Sequence, residues 1–309
     1  MTSAWLFPGQ GSQAVGMGRD LADRWKAARN TFDVADRVLG FSLSQICFEG
    51  PDEDLRRTAI TQPALLATSV AAARVLVDHG LQPDALAGHS LGEYTALVMA
   101  GVLSFEDAVR AVHLRGTFMQ EAVPEGQGAM AAVVGLEPVL LQEACEAAAE
   151  GEVVSPANLN APGQIVIAGQ ASAVRRATQE ARQRGARKVI ALNVSAPFHC
   201  ALMEPAARRL QSVLAEIDFG DARWPVWCNV DARPRTAGTD LRQALVRQVT
   251  APVRWSATME GLVQAGAERF LEVGPGTVLA GLLRRTCREA RAQPAGRAEA
   301  VAAIVAAAS

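Results

Sequence analysis

Residues 85–100 read ALAGHSLGEYTALVMA, and this stretch decides the predicted fold. The apolar run 85–87 is typical of a short buried strand, and the run 93–100 favours a helix. Between them, the pentad GHSLG at 88–92 matches the G-x-S-x-G pattern, in which a strand turns abruptly into a helix and exposes the serine at the carboxyl edge of a sheet. The pattern alone is weak, but this setting predicts an α/β fold with Ser90 as a candidate nucleophile.

The elements on either side continue the α/β pattern. A buried strand is predicted at 4–7, followed by helices at 21–38, 63–79 and 105–121, the last with Ser104 as its N-cap. Beyond residue 193, the predicted elements are a helix at 203–217, a strand at 226–229, a helix from 240 and a strand at 269–273. We therefore assign residues 1–125 and 194–290 to one large α/β domain, and residues 291–309 to an Ala-rich tail without a convincing pattern.

The segment between these two parts has a different order of elements. The order is strand, helix, strand, strand, helix, strand, at 129–134, 138–150, 153–158, 164–169, 171–184 and 187–192. This βαββαβ order is the ferredoxin-like pattern, which forms a compact unit by itself. The sequence therefore predicts a small ferredoxin-like domain at 126–193, inserted into the larger α/β domain.

Composition and charge exclude several classes of protein. The chain has 309 residues, about half of them hydrophobic, and a formal net charge of −2, which fits an ordinary globular protein. No run of Lys and Arg is long enough to hold a nucleic-acid backbone. No apolar run reaches the roughly 18 residues of a membrane span, and the N-terminus lacks the features of a secretion signal. We therefore expect neither nucleic-acid nor membrane binding.

The five cysteines are scattered along the chain, odd in number and never in a CxxC spacing. A zinc site and a disulfide framework are therefore not expected, and no metal ligands are predicted. This use of cysteine indicates a reducing compartment, so we expect the protein to be cytoplasmic.

A serine nucleophile at neutral pH needs a general base, and the chain has four histidines. His199 is the best candidate, because it lies in a loop between the last strand of the small domain and the next helix, where catalytic residues often lie. His79 ends a predicted helix, His113 lies within one, and the side chain of His89, next to Ser90, would point elsewhere. No acidic residue stands out as a third member of a triad, and a backbone carbonyl could orient the ring instead.

Two other stretches each have competing interpretations. Arg115, on the predicted helix 105–121, is either an ordinary solvated arginine or a bidentate clamp for a substrate carboxylate. The motif G-x-G-x-x-A at 9–14 formally matches a dinucleotide-binding fingerprint, although Pro8 in the turn and the lack of a good acidic partner count against it. The Gly-flanked side-chain amide of Gln10 could instead donate a hydrogen bond to an oxyanion.

Six ordered stretches together resemble bacterial malonyl-CoA:acyl carrier protein transacylases, and the likeness runs from Phe7 to about Leu283. The matching strings are FPGQGSQ (7–13), GHSLGEY (88–94), LRGTFMQEAVPEG (114–126), NLNAPGQIVIAG (158–169), SAPFHCALM (195–203) and EVGPGTVL (272–279). The resemblance implies a hydrolase-like α/β core with a parallel sheet, the ferredoxin-like subdomain inserted into it, and an active site in the gorge between them.

The resemblance also implies roles for individual residues. Ser90 would be the nucleophile and His199 its base. The backbone N–H groups of Gln10 and Leu91 would form the oxyanion hole. Arg115 would bind the free carboxylate of a malonyl group.

Two more residues complete the set that the resemblance assigns to substrate binding. Gln248 would lie beside the base, with its main-chain carbonyl holding the imidazole. Phe198, together with Leu91, resembles the malonyl-selective members, and its bulky ring would crowd an α-methyl group at a cost of roughly 1–3 kcal/mol. Phe198 departs from the pattern of fatty-acid synthesis, where a smaller residue is common, and is more similar to discrete polyketide acyltransferases.

The activity implied is transfer of malonyl from coenzyme A to the phosphopantetheine thiol of an acyl carrier protein, through an ester on Ser90 and with ping-pong kinetics. The coenzyme A thioester is a substrate, and no other cofactor is expected. An alternative on the same scaffold is an acyl hydrolase that clears stalled acyl groups from a carrier, although such relatives tend to lose the carboxylate-binding arginine. A nucleotide-binding oxidoreductase that uses the 9–14 motif is the alternative from another class. Whether the carrier serves fatty-acid or polyketide synthesis stays open.

Overall fold

The computed structural model describes residues 2–194 and 196–308. Met1, Ser195 and Ser309 lie outside the described residues. The outermost positions of the predicted large domain and tail, and the first residue of the motif at 195–203, therefore fall outside the part of the chain described below.

The described residues form ten β-strands in two sheets. In chain order the strands are β1 (Thr2–Phe7), β2 (Ala85–Gly88), β3 (Gly128–Val134), β4 (Val154–Ala161), β5 (Gln164–Gln170), β6 (Lys188–Ala191), β7 (Val226–Cys228), β8 (Arg233–Arg235), β9 (Ala267–Glu272) and β10 (Ala292–Pro294). The larger sheet has the strand order β10-β9-β1-β2-β7-β8, and the smaller sheet has the order β4-β5-β3-β6.

Fourteen α-helices pack around these sheets within the described ranges. In chain order they are α1 (Arg19–Arg24), α2 (Lys26–Leu39), α3 (Leu43–Glu49), α4 (Asp52–Arg56), α5 (Thr58–Asp78), α6 (Gly92–Met99), α7 (Phe105–Glu121), α8 (Pro138–Ala149), α9 (Ala171–Gln183), α10 (Glu204–Ala215), α11 (Gly238–Gln248), α12 (Trp255–Gln264), α13 (Val278–Thr286) and α14 (Ala298–Ala308). A short 3-10 turn, Ala201–Met203, precedes α10.

The larger sheet is parallel except at one edge. Strands β10, β9, β1, β2 and β7 run parallel, and β8 pairs antiparallel with β7. Trp5, Leu6 and Leu86 are fully buried, as expected for central strands of a parallel sheet. The register aligns Phe7 with Gly88, so the loops after β1 and β2 leave the sheet side by side. This carboxyl edge is where open α/β sheets usually bind ligands.

The smaller sheet is antiparallel throughout, and α8 and α9 accompany it in a βαββαβ order. It has its own apolar core, which includes Leu141, Ile167 and Ala177, all fully buried. All four strands and both helices lie within the predicted range 126–193. The predicted fold class, a parallel-sheet α/β core with an inserted ferredoxin-like subdomain, is confirmed.

Helix α5 passes through the centre of the protein. Among the described residues, it is the one helix whose length and apolar composition would suit a membrane span, but 89% of its 18-residue apolar window is buried inside the protein. Thr61, Gln62 and Thr68 on this helix are also buried, and both threonine hydroxyls donate to backbone carbonyls. The helix is therefore explained as a core helix, and its buried Gln62 reaches the candidate site described below.

The segment predicted to be a patternless tail, 291–309, contains a strand and a helix within its described residues, 291–308, so the expectation was wrong for that part. Strand β10 pairs in parallel with β9, and α14 buries Val301 and Ile304 in the main core. The backbone N–H of Ala298 donates to Asp20 Oδ2 at 2.8 Å, which fixes the start of α14 to α1. A three-residue strand is too short to show a period, and a helix made mostly of alanine lacks the polar face that makes a helix recognisable in sequence.

Helix boundaries differ from the prediction in the first 80 residues. The single helix predicted at 21–38 is divided into α1 and α2 at Trp25, whose extended backbone (φ −125°, ψ 131°) interrupts the helix. Helix α5 begins at Thr58, five residues before the predicted start, and Pro63 lies inside it. In contrast, α7 spans the predicted residues, and its N-cap is Ser104, whose side chain accepts a hydrogen bond from the Asp107 N–H.

Candidate active site

The turn between β2 and α6 places Ser90 at the carboxyl edge of the larger sheet. Ser90 has φ +51°, a left-handed conformation that is rare for residues other than glycine. A Cβ atom at Gly88 would overlap the backbone of Gly92, and one at Gly92 would overlap the carbonyl oxygen of Phe7. Only glycine fits at these two positions, and the strained serine between them has the geometry of a nucleophile elbow.

His199 faces Ser90 although the two residues are 109 positions apart in the chain. His199 Nε2 lies 2.8 Å from Ser90 Oγ, and His199 Nδ1 lies 2.8 Å from the main-chain oxygen of Gln248. Because a carbonyl oxygen only accepts, Nδ1 carries the proton and donates a hydrogen bond to the main-chain oxygen of Gln248. Nε2 is therefore left to accept the hydroxyl proton of Ser90, as the hypothesis from sequence requires.

The His199 imidazole is nearly completely buried, and its backbone also has a positive φ, +59°. Burial, followed by the positive charge of Arg115, lowers the pKa of His199 from its usual value to about 3. The ring is therefore neutral at physiological pH. A neutral imidazole is the form that can accept a proton from the serine hydroxyl.

Arg115 is not the solvated helix arginine that was one of its two interpretations from sequence. Its side chain is buried, with 2% of the residue exposed. Nη1 donates to Gln62 Oε1 at 2.8 Å, while Nη2 donates to Gln248 Oε1 at 2.9 Å and to Ser90 Oγ at 3.2 Å. Nε has no hydrogen-bond partner in the described part of the chain. The guanidinium therefore lies directly beside the serine hydroxyl, with its Nε–H donor left unsatisfied.

The side chain of Gln248 lies behind the site and does not line its cavity. Gln248 is fully buried; its Oε1 accepts from Arg115, and its Nε2 donates to the main-chain oxygen of Ser90 at 3.0 Å and to Glu93 Oε2 at 3.0 Å. Gln248 is not among the residues that line the cavity, so its assignment to substrate binding stays a prediction. Its expected carbonyl contact with His199 is present, and its side chain contacts other site residues.

A small cavity of about 100 Å³ lies over Ser90, between the two sheets. Such a volume is far below the roughly 300–1,000 Å³ of pockets for drug-sized ligands, so it suits a short acyl group. The residues that line it from both subdomains are Gln10, Gln62, His89, Ser90, Leu91, Arg115, Met119, Met130, Asn158, Leu192, Val194, Phe198 and His199. Beside it is a groove of about 1220 Å³, which shares Gln10, Leu192 and Val194 with the cavity. A long substrate could therefore lie in the groove while its acyl end reaches Ser90.

Gln10 and Leu91 approach this cavity from two different loops. Gln10 follows β1, and its side-chain Nε2 lies 3.4 Å from Thr58 Oγ1. Leu91 is the N-cap residue of α6, directly after Ser90. Within residues 2–194 and 196–308, neither backbone N–H has a hydrogen-bond acceptor. Two unsatisfied N–H groups at the cavity that contains the serine hydroxyl are suited to bind a developing negative charge.

The dinucleotide interpretation of residues 9–14 does not agree with the structure. In that fingerprint the glycine turn opens directly into a helix, whose N-terminus binds the pyrophosphate. Here the next helix, α1, starts only at Arg19. A Cβ atom at Gly9 would overlap the carbonyl oxygen of His89, so this glycine is explained by the close approach of the β1 and β2 loops.

Comparison with known proteins agrees with this geometry. Residues 4–305 match the family described as the acyl transferase domain. The chain belongs to the acyl transferase family. It is 52% identical over 283 residues to the malonyl CoA-acyl carrier protein transacylase of Escherichia coli strain K12, covering 91% of this chain and 92% of that protein.

Solved structures with the same fold support this membership of the acyl transferase family. An acyl carrier protein S-malonyltransferase from Vibrio cholerae is 48% identical, with a TM-score of 0.96, covering 98% of this chain and all of that one. A malonyl-transacylase in complex with its acyl-carrier protein from a type II polyketide synthase is 46% identical, with a TM-score of 0.97, covering 99% of this chain and 100% of that one. The fold, a parallel-sheet core with a small antiparallel subdomain, is thus shared with these relatives.

The other three histidines of this acyl transferase bond partners other than the Ser90 hydroxyl. His79 Nδ1 bonds the Val75 carbonyl, and His113 Nδ1 bonds the Ala59 carbonyl. His89 Nε2 bonds Asn160 Oδ1 at 2.8 Å. Burial lowers the pKa of His89. His199 is thus the histidine that the structure places on Ser90. In the described residues, no group of three or more His, Cys, Asp or Glu side chains could hold a metal ion.

Sequence reasoning missed three polar residues that hold the site of this acyl transferase together. Gln62 lies on α5 and bonds Arg115. Asn229 follows β7, and its Oδ1 accepts the Ser90 N–H at 2.7 Å while its Nδ2 donates to the Gly88 carbonyl at 2.8 Å. Glu93 lies on α6 and is fully buried. The available signal was a polar residue isolated in an apolar segment, since buried polar groups are almost always hydrogen-bonded.

Proposed function

We propose that this chain transfers a malonyl group from coenzyme A to the phosphopantetheine thiol of an acyl carrier protein, through an ester on Ser90. The observation that carries the proposal is the buried guanidinium of Arg115, 3.2 Å from the hydroxyl of Ser90. A cation in that position is suited to an acyl group with a second, free carboxylate. Relatives that share about half of the sequence over nine-tenths of the chain are named as malonyl transacylases.

In the first half-reaction, Ser90 Oγ attacks the thioester carbonyl carbon while His199 Nε2 takes the hydroxyl proton. The bond from Nδ1 to the Gln248 carbonyl holds the ring in the required tautomer. The carbon–sulfur bond then breaks, and His199 returns the proton to the thiolate of coenzyme A. The malonyl group stays on Ser90 as an ester.

The negative charge that develops on the carbonyl oxygen needs donors that are already in place. The backbone N–H groups of Leu91 and Gln10 are proposed for this role, because both residues line the Ser90 cavity. Leu91 also stands at the N-terminus of α6, where the helix dipole favours a negative charge. Loss of one such donor usually lowers the rate by about 10²–10³.

Arg115 also acts on the base through its charge. Its positive charge is the second largest cause of the lowered pKa of His199, after burial. A malonyl carboxylate bound to Arg115 offsets that charge, so the imidazolium that forms during the reaction becomes less unfavourable. The correct acyl group therefore helps to activate the base that transfers it.

The second half-reaction repeats these steps in reverse. The thiol of the carrier's phosphopantetheine arm occupies the position that coenzyme A has left, and His199 takes its proton. The groove of about 1220 Å³ shares Gln10, Leu192 and Val194 with the cavity, so it is placed to hold such an arm. The proposed chemistry uses coenzyme A as part of the substrate and calls on no separate cofactor. The five cysteines are all unpaired, which supports placing the reaction in the cytoplasm.

The experiment that tests the proposed function separates transfer from hydrolysis. The protein is incubated with malonyl-CoA, with and without a holo acyl carrier protein, and malonyl-carrier and free malonate are both measured. We expect malonyl-carrier to be the main product and to require the carrier. Free malonate as the main product with the carrier present would instead identify the acyl hydrolase alternative.

Arg115→Ala should weaken malonyl loading much more than acetyl loading, because only malonyl has the second carboxylate. Truncating one partner of a buried charge pair costs about 2–5 kcal/mol, so kcat/KM for malonyl-CoA should fall by roughly 30-fold or more. Arg110→Ala is a matched control, since Arg110 is exposed on the same helix and pairs with Asp107 at the surface. Equal losses for malonyl and acetyl loading in Arg115→Ala would contradict the clamp.

Phe198→Ser should raise the use of methylmalonyl-CoA relative to malonyl-CoA. The Phe198 ring is buried and lines the cavity over Ser90, where it would crowd an α-methyl group. A steric effect of this kind is worth roughly 1–3 kcal/mol, so the ratio of the two kcat/KM values should rise about tenfold. Competition between the two thioesters in one reaction measures this ratio, and an unchanged ratio would rule out Phe198 as a steric filter.

A further inference from the structure

Glu93 is a buried carboxylate that the mechanism above does not use. It lies on α6, three residues after Ser90, and is completely buried. Its Oε2 accepts two hydrogen bonds, from Gln248 Nε2 at 3.0 Å and from the backbone N–H of Asn229 at 2.9 Å. Its Oε1 has no hydrogen-bond partner in the described ranges. A buried carboxylate is costly, so its position calls for an explanation.

The hydrogen bond from Gln248 Nε2 connects Glu93 to the base, His199, and to the guanidinium of Arg115. A carboxylate only accepts, so the nitrogen end of the Gln248 amide must face Glu93 and its oxygen end must face the other way. That oxygen accepts the bond from Arg115 Nη2 at 2.9 Å. The main-chain oxygen of the same residue holds His199 Nδ1. If the Gln248 amide were reversed, its NH₂ group would face the N–H groups of Arg115.

The hydrogen bond from the Asn229 backbone N–H connects Glu93 to the strained turn that carries Ser90. Glu93 fixes the backbone of Asn229, and the Asn229 side chain bonds the Ser90 N–H and the Gly88 carbonyl. The turn that carries Ser90 is thus held on both sides of the serine. Because Ser90 has a positive φ, its conformation persists only if the surroundings fix it.

Charge gives a second reason for an acid at this place. In the described part of the chain, Arg115 forms no ion pair with a carboxylate. Glu93 is separated from it by the single amide of Gln248. A counter-charge that is one amide group away stabilises the buried cation of Arg115 and still leaves its guanidinium free to bind a substrate carboxylate.

We propose that Glu93 is a positioning residue, whose ionised carboxylate orients Gln248, and through it Arg115 and His199, and orients Asn229, and through it Ser90. The inference rests on the proposed malonyl transfer and concerns the same site. Glu93 does not line the cavity, so it acts through these two neighbours and through its charge on Arg115.

The test compares Glu93→Gln with a matched control, Glu272→Gln. Both glutamates are completely buried, and both accept two N–H groups, those of Leu279 and Ala280 in the case of Glu272. Glu272 caps the start of α13 and does not line the Ser90 cavity. Each variant keeps the side-chain shape and loses the charge. The readouts are kcat/KM for malonyl-CoA and for acetyl-CoA, with thermal unfolding as the check on folding.

We expect Glu93→Gln to lower kcat/KM for malonyl-CoA by roughly tenfold, because hydrogen bonds to a charged acceptor are about twice as strong as neutral ones. Acetyl-CoA should lose less, since it does not use Arg115, so the malonyl-to-acetyl ratio falls. Glu272→Gln should leave this ratio unchanged even if it lowers the unfolding temperature. An unchanged ratio in Glu93→Gln, or an equal change in both variants, would overturn the proposal.

The wild-type protein offers an independent readout that no folding defect can mimic. Burial raises the pKa of Glu93 to about 7, opposed by its bonds to Asn229 and Gln248 and by the charges of Arg115 and Arg235. The other titratable groups that interact with it are Tyr94 and Cys228, and burial raises the pKa of both. His199 does not titrate near pH 7, because its pKa lies at about 3.

Glu93 is therefore protonated below about pH 7 and ionised above it. The malonyl-to-acetyl ratio of the wild type should rise as the pH increases through this range, and the ratio of Glu93→Gln should not. A ratio that is flat from pH 5.5 to 8.5 in the wild type would contradict the proposal. A wild type that forms no malonyl ester on Ser90 would instead refute the proposed function, so the two failures are distinguishable.

Discussion

Ser90→Ala is expected to form no acyl-enzyme with malonyl-CoA and to transfer no malonyl to a carrier. The substitution removes the one atom that forms the ester, while His199, Arg115 and the cavity stay in place. Removing the nucleophile of a serine triad typically lowers kcat by about 10⁶-fold. Intact-protein mass spectrometry measures the adduct, and a coupled assay with carrier measures the transfer.

A second serine provides the control for this result. Ser69 lies on α5, and its hydroxyl is buried without a hydrogen-bond partner in the described residues. Removing an unsatisfied buried hydroxyl should be close to neutral for folding, so Ser69→Ala should load malonyl like the wild type. A malonyl adduct that persists in Ser90→Ala would show that another residue is the nucleophile.

His199→Ala is expected to have the second largest effect, with a loss of about 10³-fold or more in both half-reactions. Without the imidazole, no group accepts the Ser90 proton, and none returns it to the leaving thiolate. Arg115 Nη2 still donates a hydrogen bond to Ser90 Oγ. A donor cannot take the hydroxyl proton, so this bond does not replace the base. Single-turnover loading from malonyl-CoA and discharge onto carrier, measured separately, should both slow.

The double variant tests whether Ser90 and His199 act as a unit. Their hydroxyl and imidazole share one hydrogen bond of 2.8 Å, so removing both should cost about as much as removing Ser90 alone. If the loss of rate in the double variant equalled the product of the two single losses, the two side chains would act independently. That result would contradict the proposed proton transfer.

The local sequence at Ser90 contains most of the information that its structure requires. Gly88 and Gly92 have no room for a Cβ atom, so the requirement for glycine is visible directly in the pentad. His199 was found by elimination among four histidines, because few residue types can serve as the base. The orienting carbonyl of Gln248 has no side-chain signature, and only the family resemblance pointed to it.

The polar residues behind the site could not be predicted in the same way. Gln62 and Glu93 lie on two different helices and Asn229 lies in the turn after β7, and their roles come from contacts with residues far away in the chain. The hydrogen bond between Asn229 and Ser90, for example, joins positions 139 apart. A single sequence gives no information on which buried polar groups will meet, so the network became visible only in three dimensions.

How well the fold could be predicted depended on the length and the periodicity of each element. Long amphipathic segments such as α7, and the strands of the small sheet, were placed within a few residues because their periodicity is clear. Two strands of three residues, β8 and β10, were missed, and so were the alanine-rich α14 and the helices α3, α4, α12 and α13. Their positions are fixed by pairing with neighbouring strands and by burial against the core, which local patterns do not record.

The most direct measurement of the central claim is peptide mapping of the chain after brief exposure to malonyl-CoA, followed by addition of a holo carrier. We predict one malonyl group per molecule, attached at position 90, which disappears when the carrier is added and reappears on the carrier's thiol. A malonyl group found at any other position, or one released as free malonate without loading the carrier, would contradict the account.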